Sequence, residues 1–179
     1  AKLPRDKLLA PAMEAELAFI DQLAPKLSEA DGSAVKSSLA ALRKRLPEKI
    51  DPRIMAMGKE VYERESHCGT CHQKNGLGQV DPYPPLAGSK WVTDADTTRL
   101  IKISLHGLAG EIIVKGVKHA NKAIPPMPPF KDLLKDEEIA AVLTYVRNQW
   151  GNHESAITAS QVAAVRHSHS DRSQSWTVE

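Results

Sequence analysis

Cys68-Gly69-Thr70-Cys71-His72 constrains this chain more than any other stretch. Both cysteines of the 179-residue sequence lie in it, with a histidine directly behind the second. Two thiols at this spacing can each add to one vinyl group of a haem, and the following imidazole can then reach the iron. Three other readings use the same cysteines. A thioredoxin-like redox pair needs a strand before the motif and a βαβ setting. Here Lys59 to Glu65 are helix-formers and no strand precedes them. A zinc site needs four ligands, and no second C-x-x-C or close histidine pair lies nearby. A disulfide across a two-residue spacer in a helical turn is strained. The residues favour haem over these three.

Composition narrows the class. Hydrophobic residues make up 41% and charged residues 26%, ordinary for a soluble protein. Aromatic residues are only 4%, so a haem would add a large apolar body to a modest core. At about 25 cal/mol per Å², burying several hundred Å² of porphyrin contributes on the order of 10 kcal/mol. A net charge of +2 is too small to argue for nucleic acid. No apolar run approaches the roughly 20 residues that span a bilayer, so no membrane span is expected. The chain begins Ala1-Lys2-Leu3-Pro4, without Met or signal peptide, as expected of a mature exported chain or an excised fragment.

Residues 1–50 read as a helical extension. Met13, Leu17, Ile20 and Leu23 share one helical face, and Val35, Leu39, Leu42 and Leu46 share another, with Asp31-Gly32-Ser33 turning between. Asp51-Pro52 starts a helix that leads into the cysteine motif, and Gly58 would let another helix cross closely. Beyond His72, Asn75-Gly76 and Gly78 signal turns, followed by Pro84-Pro85-Leu86-Ala87-Gly88. A rigid proline-rich wall beside an iron-ligating histidine could accept its Nδ1–H; the alternative is a plain surface turn.

A helix capped by Thr93 or Asp94 is expected to run to about Leu105 and end at His106-Gly107. Glu111–Val114 and Val117-Lys118, flanking Lys115-Gly116, suggest a short β-hairpin. Four prolines surround Met127, making a stiff loop that could hold a weak thioether ligand; the alternative is a methionine filling a core gap. Asp136-Glu137-Glu138 opens a helix expected to run to Trp150, stopped by Gly151-Asn152. Ser160 could cap a short helix to Ala164, and Arg166-His167-Ser168-His169 beyond it reads as solvated. His167 and His169 could bind a metal adventitiously. The expected domains are a helical extension at 1–50, a core at 51–153 and a polar tail at 154–179.

From about Pro52 to Asn152 the chain resembles the class I mono-haem c-type cytochromes. The resemblance rests on an ordered set: a first helix with Gly58 and Tyr62, Cys68-x-x-Cys71-His72, the Pro84–Gly88 loop, Met127-Pro128, and a last helix with Tyr145. It implies an all-α class I cytochrome c fold, with haem-packed helices and crossing of first and last helices near Gly58 and Tyr145. It implies one covalent haem c, thioethers at Cys68 and Cys71, axial His72 and Met127, and the Pro84 carbonyl receiving the His72 ring N–H, with Leu86 beside the cofactor. The spacer from Tyr62 to Cys68 is two residues longer than in small members, which leaves the partner of Tyr62 open. The runs Pro85–Val92, Leu105–Leu108 and Thr144–Asn152 are similar to cytochrome modules attached to large secreted dehydrogenase-like proteins.

The functional expectation is an electron carrier, not an enzyme. Six-coordinate iron has no open position for substrate. A redox partner protein or fused dehydrogenase domain is expected, with no nucleic acid, in the periplasm or secreted. Two alternatives stand. With Met127 off the iron, a five-coordinate haem would be a gas sensor or weak peroxidase, and His106 or His119 could be fallback ligands. Otherwise the module merely tethers an assembly. Lys115, Lys118, Lys122, Lys131 and Lys135, against Glu111 and Asp132, could form a basic rim that steers an acidic partner, or be ordinary solvated lysines.

Overall fold

The computed structural model describes residues 50–79, 82–119 and 126–177, with shorter stretches at 17–20, 22, 24–26 and 33–38. The chain forms two compact units, 1–48 and 49–179. In the first, residues 17–20 and 33–38 are helical and Ala24–Lys26 is a 3-10 turn. Met13 and the remainder of the expected helical hairpin lie outside the described residues.

The second unit opens with α1, Pro52–Glu63. The Asp51 carboxylate accepts the Arg53 N–H at 2.8 Å, and Pro52 occupies a first-turn position where its missing N–H costs nothing. Then come α2 (Cys68–His72), α3 (Lys90–Thr93) and α4 (Thr98–His106). Short strands follow: β1 (Leu108–Ala109), β2 (Ile112–Val114) and β3 (Val117–His119). The unit closes with α5 (Asp136–Val146), α6 (Ala159–Ser168) and β4 (Trp176–Thr177). Among the described residues the unit is mostly helical, with two small two-stranded sheets.

α1 crosses α5 at Gly58. A Cβ there would lie 2.6 Å from the Tyr145 Cβ and also strike the Ala141 carbonyl, so only glycine permits this approach. α5 buries every residue from Ile139 to Val146, and Tyr62 and Leu105 pack into the same core at 0% exposure. The Tyr62 hydroxyl donates to the Gln73 carbonyl at 2.7 Å, which identifies its partner. β2 and β3 form the expected hairpin, with Lys115 and Gly116 both at positive φ, as a tight two-residue turn requires.

Three expectations need correction. The helix expected from Thr93 or Asp94 begins only at Thr98. Ser89 instead caps the one-turn α3, and the Asp94 and Asp96 side chains accept the N–H groups of Asp96 and Thr98, making local turns that compete with a longer helix. α5 ends at Val146 rather than Trp150. There Arg147 turns inward at 1% exposure and donates to the carbonyls of Val92, Asp94 and Ser155 at 2.6–3.1 Å. Trp150 then adopts φ +55°.

Residues 154–177 are not a solvated tail. Thr158, not Ser160, caps α6: its hydroxyl accepts the Gln161 N–H, and the Gln161 side chain returns to the Thr158 N–H. The helix runs four residues past Ala164. Ile157, Val162 and Val165 are buried in the core. At about 1.5–3 kcal/mol per buried aliphatic side chain, this docking is a substantial part of the unit's stability. β4 then pairs in parallel with β1.

Candidate haem site

An apolar cleft, open to solvent at its mouth, runs between α2, α4, α5 and the strands. Leu100, Ile103, Ile112, Val114, Val142 and Val146 are among its walls. Among the described residues, Cys68, His72 and Met127 alone bring metal-ligating or haem-anchoring atom types to its lining. Pro84, Pro85 and Leu86 line it beside His72.

The His72 side is built from a short chain of turns. His72 Nδ1 lies 2.9 Å from the Pro84 carbonyl. A carbonyl can only accept, so Nδ1 carries the proton and Nε2 keeps its lone pair. Burial pushes the imidazole pKa down, with the Pro84 hydrogen bond opposing in part, so the neutral, ligating form is favoured. Between these two residues the chain folds on itself. Gly78 N–H donates to the His72 carbonyl, and Leu86 and Ala87 N–H both donate to the Gly76 carbonyl at 2.8 and 3.0 Å. Gly76 has φ +66° and lies against the Trp150 ring, whose Nε1 donates to the Lys74 carbonyl at 3.1 Å.

Asn152 clips this loop to the end of α5. It accepts the Gly88 N–H at 2.8 Å and donates to the carbonyls of Leu86 and Val146 at 3.2 and 2.9 Å. From the residues, Trp150 is the expected helix end and Asn152 part of its stop; the turn signals Asn75-Gly76 and Gly88 mark the loop but not its clips.

Burial raises the Cys68 thiol to about 11, consistent with its place against apolar side chains. Cys71 is half-buried and lies outside the cleft lining. Across the cleft, Met127 exchanges two backbone hydrogen bonds with Leu108, at 3.0 and 3.1 Å. Gly107, at φ +79°, lets the Met127 carbonyl pass where a Cβ would stand. An anchored imidazole with a free Nε2, a thioether, two closely spaced cysteines and apolar walls fit a covalent haem.

His106 and His119 are buried, at 3% and 5% exposure, and neither lines the cleft. His169 is not free in solvent: its Nδ1 lies against the Ser168 hydroxyl, and its ring faces those of His106 and Trp176. The basic rim is largely engaged. Lys118 pairs with Glu111 at 2.7 Å, the Lys131 ammonium donates to the Arg172 carbonyl at 3.0 Å, and Lys115 reaches Ala87 at 3.4 Å. Lys122 lies outside the described residues.

Fold and cleft together define a mono-haem protein of the covalently attached kind. Residues 55–150 match the cytochrome c family, and the chain belongs to it. It is 37% identical over 119 residues to cytochrome c-552 of Thermus thermophilus, covering 62% of this chain and 85% of that protein. It is 34% identical over 110 residues to the cytochrome c subunit of alcohol dehydrogenase (quinone) of Gluconobacter oxydans (strain 621H). It is 35% identical over 114 residues to the gluconate 2-dehydrogenase cytochrome c subunit of Pantoea cypripedii. Each of these two matches covers 61% of this chain, but only 22% and 24% of the respective relative. The chain therefore has the class I cytochrome c fold, carries covalent haem c and serves electron transfer. No helix among the described residues is long and apolar enough to cross a membrane.

Proposed function

We propose that this chain relays single electrons from a dehydrogenase to a downstream acceptor, with His72 and Met127 as axial ligands and Cys68 and Cys71 as thioether anchors. The observation that carries this reading is the His72 Nδ1–Pro84 carbonyl bond at 2.9 Å, which leaves Nε2 free in the cleft that Met127 also lines. Haem c supplies a one-electron Fe(III)/Fe(II) couple when bound. Pro84 fixes the tautomer and orientation of His72 and raises its basicity. The soft thioether of Met127 favours the reduced metal. Leu86 and the aliphatic walls keep water from the cleft. Two protein ligands leave no position for a substrate, so the chain is a carrier and not a catalyst.

The dehydrogenase cytochrome subunits among its relatives support a dehydrogenase as donor. Covalent haem attachment, which takes place outside the bacterial cytoplasm in this family, supports a periplasmic or secreted location; cell fractionation would test that directly. Optical spectra of the holoprotein test the ligation. Wild type is expected to be low-spin, with an iron–thioether charge-transfer band and no response to carbon monoxide. Met127→Ala is expected to lose the band and bind carbon monoxide. A wild-type protein that binds carbon monoxide readily would instead be a gas sensor or weak peroxidase.

A further inference from the structure

We propose that the C-terminal segment is the positioning device for Met127, with Arg166 and Trp176 as its two working residues. This rests on Met127 being an axial ligand. The loop carrying Met127 holds itself poorly. Pro126, Pro128 and Pro129 have no N–H to donate, so Met127 supplies the one amide donor of the stretch 126–129. Met127 donates to Leu108 and accepts from it in return, and Leu108 is itself held from its other side. Trp176 N–H donates to the Gly107 carbonyl at 3.0 Å, and Leu108 is in register with Trp176 in the β1–β4 pair. Leu108 is thus sandwiched between Met127 and the C-terminal strand.

The far end of the loop is held by Arg166. Its guanidinium donates to the carbonyl of Lys131, to that of Leu134 at 3.0 Å, and to the Asp136 carboxylate at 2.7 Å. Lys131 returns the connection through its ammonium to the Arg172 carbonyl, and the Arg172 guanidinium stacks 3.6 Å above the Trp176 ring. Arg166 therefore bonds to the loop's own carbonyls and to the N-terminal acid of α5, at the point where the loop becomes helix. A thioether is a weak ligand, so its residence on iron depends on how seldom the loop opens. Clamping both the strand beside Met127 and the loop behind it makes that opening rare.

The test uses the full-length holoprotein and imidazole as the competing iron ligand. Two readouts are taken: imidazole affinity, and hydrogen exchange of the Met127 amide. Arg166→Leu is expected to raise imidazole affinity about tenfold, equivalent to about 1.4 kcal/mol of easier loop opening. Met127 amide exchange should accelerate by a similar factor, with far-UV dichroism and haem content unchanged. Arg166→Lys, which keeps the charge but not the three-way fork, should recover only part. In a Met127→Ala background, Arg166→Leu should leave imidazole affinity unchanged, because there is no ligand left to position.

Trp176→Ala tests the strand side and decides the matter if Arg166→Leu fails to fold. Unchanged imidazole affinity and Met127 exchange in the folded variants would overturn the clamp. So would an equal rise in affinity with and without Met127. If Met127→Ala alone leaves imidazole affinity unchanged, the ligation reading falls separately, and amide exchange still judges the clamp.

Discussion

The two walls of the cleft are built in opposite ways. The His72 wall is nearly self-contained: His72 and Pro84 are twelve positions apart, and the bonds of Gly76 and Gly78 lie between or just beyond them. Its distant helpers are the clips from Trp150 and Asn152. The Met127 wall is assembled from afar. Its loop bonds back to Ser104, Leu105 and Leu108, and forward to Arg166, while β4 supports it from behind. Local wiring makes a wall that forms whenever its own turns form. Long-range wiring makes one that depends on several elements docking together, and that can open without the rest unfolding.

The largest effect should come from the frame that both walls share. Gly58→Val drives a side chain into Ala141 and Tyr145 and is expected to cost about 3 kcal/mol or more in denaturant unfolding of the holoprotein. Both walls should lose amide protection together; loss from one alone would break the idea of a shared frame. Gly76→Ala should act on the His72 wall by itself. It forces a Cβ to within 2.7 Å of the Trp150 ring at φ +66° and should cost about 2 kcal/mol. Exchange should quicken at Leu86 and Ala87 and stay slow at Met127. Equal acceleration at Met127 would mean that the two walls are one unit.

A smaller effect, visible only in pH dependence, should mark the Met127 wall. His106 sits just before Gly107 and Leu108, and burial, with Lys131, His169 and Arg172 nearby, holds its pKa below the ordinary value. Well above about pH 6.5 the ring is neutral in both folded and unfolded chains, and it contributes no slope. As pH falls below that, the unfolded chain takes up a proton that the folded chain refuses, so stability declines until the folded pKa is reached. His106→Phe should remove this part of the decline in urea titrations carried below about pH 6.5. An unchanged profile would remove His106 from the account.

Much of the His72 side was legible because its instructions are adjacent in the chain. Glycines at the turns, prolines with carbonyls but no donors, and Asp51-Pro52 at a helix start all act over a few residues. The hairpin turn at Lys115-Gly116 was readable for the same reason, whereas the residues around Gly58 offered only room for a crossing, and its partner helix near Tyr145 was implied by the family resemblance. The α4 start was misplaced because Asp94 and Asp96 carry good capping side chains but spend them on local turns. Arg147 could not be foreseen as buried, since its acceptors are backbone carbonyls of Val92, Asp94 and Ser155, which no residue pattern announces.

The sequence by itself determined the covalent chemistry available, the turns that follow the cysteine motif and the proline-stiffened loop around Met127. Each follows from residue type and short spacing, where a few dihedral preferences decide the outcome. Only the tertiary structure decided that residues 154–177 dock rather than dangle, and that the loop behind Met127 is held by Arg166. A polar stretch such as Arg166-His167-Ser168 looks the same in solution or at an interface until the carbonyls of Lys131 and Leu134 are brought beside it. Two residues of β4 carry no periodicity to read; their strand exists because β1 offers them a partner.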